Sequence, residues 1–120
     1  MKETINNWIK AQASRTGLFA LGVAHTDGTF AGQSCSSIYP SIFLNNSWRN
    51  LRECFNTGRD QHQVTPVCLR LVFEHACLYA AQRSDGAVLG VYVSRDEQLV
   101  PRGQVEILLN EFLFLSEAAA

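Results

Sequence analysis

Residues 17–28, GLFALGVAHTDG, decide the fold, because an apolar run of strand length ends there in an Asp-Gly pair. Residues 29–34, TFAGQS, then supply a second strand-like run. Asp-Gly between two such runs is a strong signal for a β-hairpin, since glycine accepts a positive φ. The first run is apolar on both faces, which predicts a central strand. The second is more polar and contains Gly32, which predicts an edge strand.

A second Asp-Gly hairpin is predicted near the other end of the chain. Residues 76–82, ACLYAAQ, and residues 87–93, AVLGVYV, flank the sequence Ser-Asp-Gly at 84–86. The later run is again apolar on both faces, so it should also be central. Residues 68–73, CLRLVF, precede this hairpin across a short connection, and they predict a further strand. The sequence therefore predicts five strands.

Helical spacing of apolar residues predicts a helix at each end of the chain. Residues 2–14 place Ile5, Trp8 and Ile9 on one face, and Gly17 should follow the end of this helix. The last helix should begin at about Val100. Its apolar face is formed by Val105, Leu108, Leu109, Phe112 and Leu115.

The middle helix has the clearest pattern. Its apolar residues follow steps of four, three and four: Leu44, Trp48, Leu51 and Phe55. Pro40 suits the first turn, and Gly58 is predicted to terminate the helix as its C′ residue. Residues 56–65 should form a polar loop.

These elements predict an α/β protein of the layered α+β kind, a single domain over residues 1–120. The order is helix-strand-strand-helix-strand-strand-strand-helix. A five-stranded antiparallel sheet with helices on both faces is the natural packing for that order. The 120 residues, 47% of them hydrophobic, suffice for one core.

Charge and hydropathy argue against two classes of function. The net charge is −1, and Lys2 and Lys10 are the only lysines, so there is no clustered basic surface for nucleic acid. No apolar run approaches the roughly 20 residues that cross a bilayer, and the amino terminus lacks the apolar core of a signal peptide. The prediction is a cytoplasmic protein without membrane insertion.

Catalytic, cofactor-binding and metal-binding residues are all predicted to be absent. The four cysteines contain no Cys-x-x-Cys pair, which argues against a zinc or redox motif. Two sharper alternatives remain open: a Cys54–His62 nucleophile and base, and a metal site from His62, His75 and Glu74. Chance scatter of these residues is the favoured interpretation.

The two Asp-Gly hairpins and their apolar strands resemble the roadblock / dynein light chain family, whose domains have a profilin-like or longin-like shape. Residues 17–28 and 78–93 carry the resemblance. It implies a dimer that forms one continuous ten-stranded sheet through the edge strand after the long helix and through that helix. It also implies a scaffold or regulator of small Ras-like GTPases, or an adaptor in other complexes, without catalytic residues.

Mapped onto this chain, the resemblance predicts a dimer interface on residues 68–73 and on one side of residues 42–55 of the second helix. The predicted residues are Cys68, Leu69, Arg70, Leu71, Val72, Phe73, Ile42, Trp48, Arg49 and Phe55. An edge strand this apolar, without lysine or proline, is prone to aggregate unless it is covered, and pairing about a two-fold axis would cover it. The predicted partners are a second copy of the chain and a small GTPase or another protein.

The alternative is a small-molecule sensor or a secretion-chaperone-like α/β domain with the same order of elements. A sensor should contain a roomy pocket inside the sheet. A secretion chaperone should be markedly more acidic than a chain of net charge −1.

Overall fold

The computed structural model describes residues 1–12, 17–35, 41–62, 68–96, 98 and 100–116, with only the backbone of 41–43 and 58–62. It confirms the predicted fold class and order of elements. These are α1 (Lys2–Gln12), β1 (Leu18–Ala24), β2 (Phe30–Ser34), α2 (Ser41–His62), β3 (Cys68–Val72), β4 (Ala76–Gln82), β5 (Val88–Ser94) and α3 (Arg102–Leu113).

The five strands form one antiparallel sheet in the order β2-β1-β5-β4-β3. The strands predicted to be central, β1 and β5, pair with each other, and β2 lies at an edge as predicted. Gly28 and Gly86 have φ of 88° and 98° in the two Asp-Gly turns. In both turns the aspartate accepts a hydrogen bond from the backbone N–H two residues on, 3.0 Å long, which fixes the turn.

Helices α1 and α3 cover one face of the sheet. Their buried residues pack on alternate side chains of the inner strands, as the period of two in a strand requires. The core on this side comprises Ile5, Ile9, Leu18, Leu21, Val23, Cys77, Tyr79, Ala81, Ala87, Leu89, Val91, Val93, Val105, Leu108, Leu109 and Phe112. Trp8 is half-buried, and its ring centroid lies 5.8 Å from that of Phe112.

Helix α2 covers the opposite face through Trp48, whose indole packs directly against three glycine residues of the sheet. Gly32, Gly22 and Gly90 are direct neighbours on three adjacent strands. A Cβ atom at Gly22 or Gly90 would overlap the indole ring, and one at Gly32 would lie 3.0 Å from its Nε1. The absence of side chains therefore lets α2 approach the sheet closely.

The prediction that Gly58 ends the second helix is wrong, because α2 continues to His62. A glycine inside a helix costs only about 1 kcal/mol relative to alanine, so it does not by itself end one. The predicted polar loop over residues 56–65 is helical as far as residue 62, and its remainder lies outside the described residues, as do Pro40 and residues 13–14. The last helix begins at Arg102 rather than Val100, since Pro101 is its N-cap, with ψ of 142°.

None of the described helices is long and apolar enough to cross a membrane.

Arg83 connects the end of α3 to the sheet through hydrogen bonds. It is 8% exposed, and its guanidinium donates to the carbonyl oxygens of Phe112 and Leu115 and to Asp85 Oδ2, the last at 3.1 Å. The carbonyls in the last turn of a helix lack a full set of intrahelical partners. Arg83 donates to that of Phe112, which also accepts a longer bond of 3.4 Å from Leu115 N–H.

We expect Arg83→Met to lower the free energy of unfolding by about 2–3 kcal/mol, because buried acceptors of charged hydrogen bonds lose their donor. Urea unfolding followed by circular dichroism measures this loss. Arg95→Met is the matched control, since Arg95 is exposed and donates only to the Glu74 carbonyl among the contacts described. A loss for Arg83→Met no larger than that of the control would contradict the anchoring role.

Candidate functional site

The β3 edge of the sheet carries three of the five exposed large hydrophobic residues in the described part of the chain. Leu71, Val72 and Phe73 are 44%, 50% and 49% exposed. Only two other large hydrophobic residues of the described chain are exposed, Ile107 and Phe114, and both lie on or beside α3. Three adjacent exposed apolar residues on a strand at the end of a sheet are typical of an interaction surface.

The pairing of β3 with β4 determines the face on which each β3 side chain lies. Leu69 and Leu71 stand opposite Ala80 and Leu78, which belong to the core under α2. Directly opposed residues share a face, so both leucines lie on the α2 side. Phe73 lies there too, because its ring centroid is 6.5 Å from that of Tyr92, a half-buried residue of the same core. These side chains extend the α2 face of the sheet beyond α2.

Some of the backbone hydrogen-bonding groups of β3 point away from β4, along the outer side of the strand. Phe73 N donates to Ala76 O across the β3–β4 turn, at 2.8 Å. In an antiparallel pair successive residues alternate between facing the partner strand and facing away. Leu69 and Leu71 therefore bond to β4, whereas Cys68, Arg70 and Val72 direct their N–H and C=O groups away from it. No other described strand pairs with this edge.

The other face of β3 carries Arg70, which is held on β4. Its Nε donates to the Tyr79 hydroxyl at 2.9 Å, and its guanidinium lies 5.6 Å from the Tyr79 ring centroid. The hydrogen bond to Tyr79 is the main reason that the pKa of Arg70 is raised. On the same face, partial burial raises the pKa of the Cys68 thiol, which favours the protonated, unreactive form.

Solved structures of known proteins share this fold. A Roadblock/LC7 domain from Streptomyces avermitilis superimposes with a TM-score of 0.65 at 10% identity, over 88% of this chain and 92% of that one. The chain has the roadblock fold. Gliding protein MglB from Thermus thermophilus superimposes with a TM-score of 0.70 at 14% identity, over 92% of this chain and 86% of that one.

MglC from Myxococcus xanthus is a more distant structural neighbour of this roadblock fold. It has a TM-score of 0.51 at 13% identity, over 92% of this chain and 97% of that one. No protein-family model matches the sequence, and neither does any curated protein. The likeness is therefore one of fold.

Two residues predicted at the dimer interface lie instead in the core of the roadblock fold. Trp48 is 1% exposed and Phe55 is fully buried, so the prediction of an interface role for their side chains is wrong. The helical stripe that contains them is the core-facing stripe of α2. Arg49 is exposed but lies over the Phe30 ring of β2, the edge opposite β3. The side chain of Ile42 lies outside the described residues.

Tyr92 is the residue at this surface that the sequence did not indicate. Its hydroxyl donates to Ser47 Oγ at 3.1 Å, and its ring lies between those of Trp48 and Phe73, at 5.9 and 6.5 Å. Tyr92 thus connects the core between α2 and the sheet with the exposed β3 edge. Its position on an apolar central strand predicted burial, and only the tertiary structure shows that α2 leaves it half-covered.

Two surface grooves lie at the end of the roadblock fold that carries the β1–β2 turn. One of about 370 Å³ is lined by Gly28, Phe30, Arg49, Arg52, Glu53 and Asn56. The other, of about 220 Å³, is lined by Met1, Lys2, Ile5, His25, Thr26, Asp27, Asp85 and Ala87. Both open at the surface rather than inside the sheet, so neither is the pocket that a small-molecule sensor would need.

The residues of the two alternative sites, the Cys54–His62 catalytic pair and the metal site of His62, His75 and Glu74, do not come together in the described structure. Cys54 is exposed on α2, and the side chain of His62 lies outside the described residues. His75 Nε2 lies 3.5 Å from Glu74 Oε1, with both side chains 86% exposed. The described residues hold no group of three His, Cys, Asp or Glu side chains placed to bind a metal ion.

His25 is a buried histidine at the end of β1, and it serves the fold. Its Nε2 lies 2.8 Å from Asn6 Oδ1 of α1. Burial, and after it the charge of Lys2, lowers the pKa of His25 below its ordinary value of 6.5. The folded chain therefore binds a proton at His25 less readily than the unfolded chain does.

We expect the chain to lose stability as the pH falls below about 6.5, because the unfolded state then gains a proton that folded His25 resists. Above pH 7 this contribution is constant. Urea unfolding at pH 8 and at pH 5 measures the slope, which should be smaller in His25→Gln. His75→Gln is the matched control at an exposed ring. An unchanged slope in His25→Gln would assign the pH dependence to other groups.

Proposed function

We propose that this chain is a non-catalytic dimerisation and scaffold module that regulates or adapts a small Ras-like GTPase or another cytosolic protein complex. The observation that carries the proposal is the β3 edge, where exposed apolar side chains adjoin backbone groups with which no other described strand pairs. Such an edge requires a protein partner, since an unpaired apolar strand otherwise aggregates. A strand that covers it satisfies both the hydrogen bonds and the apolar surface.

A second copy of the chain is the partner that fits this edge best. An antiparallel strand pair is self-complementary about a two-fold axis, so one sequence can supply both sides of the interface. Joining two five-stranded sheets at β3 gives a ten-stranded sheet that keeps both α2 helices on one face. A structure described as MglB with a tetrameric arrangement, 14% identical with a TM-score of 0.64 over 93% of this chain and 84% of that one, supports association between copies of this fold.

The face formed by the two α2 helices would receive the further partner. The exposed side chains of α2 are largely polar and include Asn45, Asn46, Arg49, Asn50 and Glu53. A polar surface of this kind suits a transient complex with a folded protein more than an obligate interface. The resemblance to roadblock proteins implies that a small Ras-like GTPase is such a partner.

Sedimentation velocity over a range of concentrations tests the dimer. We expect a single species of twice the chain mass of 13.4 kDa at micromolar concentrations. A species of the chain mass throughout that range would contradict the dimer, and with it this proposal.

Binding to purified Ras-like GTPases from the same organism, measured by calorimetry with GDP and with a GTP analogue, tests the partner class. We expect one GTPase to bind with a preference for one nucleotide state. Absence of binding to all of them would overturn the GTPase assignment, while a dimer in sedimentation would still support the scaffold.

A further inference from the structure

The chemistry of β3 also selects one register for the pairing of two copies. Two copies of β3 can pair about a two-fold axis that keeps both α2 helices on one face of the joined sheet. Directly opposed residues then lie on the same face, and one residue stands opposite its own counterpart in the partner. The central residue can be Arg70, Leu71 or Val72 if the pair is to cover the exposed end of the edge at residues 71–73. Each choice places different side chains in contact.

We infer that the two copies pair with Leu71 opposite the partner's Leu71, an inference that rests on the proposed dimer. In this register Arg70 and Val72, whose N–H and C=O groups point outward, exchange four hydrogen bonds with the partner's Val72 and Arg70. Both residues lie within the regular strand Cys68–Val72, so these bonds need no change of backbone.

The apolar side chains on the α2 face match in the same register. Leu71 meets the partner's Leu71, and Leu69 meets the partner's Phe73. Leu71 lies at a position that is not hydrogen-bonded across the new pair, where opposed side chains approach most closely. The exposed surface of Leu71 and Phe73 in each copy is thus covered by the corresponding surface of the other.

Charge favours this register over the one centred on Arg70. With Leu71 at the centre, Arg70 stands directly opposite the partner's Val72, and its two diagonal neighbours are the partner's Glu74, in the turn beyond the strand, and the partner's Arg70. The Glu74 side chain is 86% exposed and so is free to turn toward Arg70. With Arg70 at the centre, two guanidinium groups would stand directly opposite each other, which is unfavourable.

The register centred on Val72 loses backbone hydrogen bonds. It would place Arg70 opposite the partner's Glu74 and Leu69 opposite the partner's His75. Glu74 and His75 form the β3–β4 turn and are not part of the strand. Only Val72 would then exchange hydrogen bonds within the regular strand.

Cysteine cross-linking tests the register in a background in which the exposed Cys35, Cys54 and Cys68 are serine. Leu71→Cys should form a disulfide-linked dimer under mild oxidation, since opposed Cα atoms at a position that is not hydrogen-bonded across the pair lie about 4.5 Å apart, within the range of a disulfide. Arg70→Cys and Val72→Cys are matched controls on the neighbouring positions. In the inferred register each of these residues lies diagonally from its counterpart in the partner, about 7–8 Å away, which is too far for a disulfide.

Each result of this experiment has one meaning. Linkage of Leu71→Cys well above both controls supports the register. Preferential linkage of Arg70→Cys or Val72→Cys overturns it and leaves the proposed dimer intact. No linkage in any variant, with sedimentation still showing dimers, overturns pairing through β3. If the chain with the three serine substitutions sediments as a monomer while the unmodified chain is a dimer, the three cysteine substitutions are made in the unmodified chain instead. The same criteria then apply.

A charge exchange distinguishes the inferred register from the one centred on Arg70 without introduced cysteines. Arg70→Glu should weaken dimerisation about five- to tenfold, because two symmetric favourable contacts become unfavourable. Glu74→Arg in the same chain should restore it, since the opposite charges again meet across the interface. Absence of restoration would favour Arg70 at the centre and overturn the inferred register.

Discussion

A chain with Leu71 replaced by lysine should sediment as a folded monomer at concentrations at which the unmodified chain is a dimer. Each copy would bury the 44% of Leu71 that is exposed in the single chain, at about 0.7–1.3 kcal/mol per side chain, so the dissociation constant of the variant should rise by at least about tenfold. The lysine ammonium groups would also face each other across the two-fold axis. Because Leu71 is 44% exposed in the single chain, the substitution leaves the core of the fold unchanged.

Ile107→Lys is the matched control for this substitution. Ile107 is 57% exposed and lies on α3, on the face of the sheet opposite α2. The same change of side chain at similar exposure should leave the dimer intact. Circular dichroism confirms that both variants are folded, and sedimentation compares their assembly. A dimer of wild-type affinity in Leu71→Lys would place the interface elsewhere.

Gly22→Ala should lower the free energy of unfolding by about 3 kcal/mol, because the new methyl group would overlap the Trp48 indole. The indole has little room to move, since Trp48 is 1% exposed and also lies against Gly90. Its Nε1 is buried and has no hydrogen-bond partner among the described residues. Urea unfolding of the variant measures the loss.

Gly103→Ala is the matched control, since a Cβ atom there meets nothing within 4 Å. Gly103 lies in the first turn of α3, where alanine is the better helix former, so this variant should be at least as stable as the wild type. Trp48→Leu in the Gly22→Ala chain should give a smaller total loss than the sum of the two single losses. Additive losses would show that the overlap with the indole is not the cause.

The turns and the central strands could be predicted because their signals are local. Asp-Gly requires a turn with positive φ wherever it occurs between strands, and Gly28 and Gly86 show it. A strand that is apolar on both faces needs cover on both sides, which places β1 and β5 in the middle of the sheet. The helical state of α2 between Leu44 and Phe55 was predictable for the same reason, because its apolar residues are spaced by four, three and four positions and so lie on one face of a helix.

The end of α2 and part of the predicted interface could not be predicted in the same way. A single glycine changes helix stability by about 1 kcal/mol, so Gly58 could not show whether α2 stops there. Trp48 and Phe55 satisfy the pattern of a buried stripe and that of a contact surface equally well in the sequence. The position of the sheet beneath α2 decides between them.

The sequence by itself determined the order of elements, the two Asp-Gly hairpins and the apolar character of residues 68–73. Each depends on neighbours within a few residues. The tertiary structure decided that β3 is an edge, that Leu69 and Leu71 share a face with Phe73, and that Cys68, Arg70 and Val72 point their backbone groups outward. These properties follow from the pairing with β4, and the direction of a backbone group is fixed only when a strand has a partner on one side.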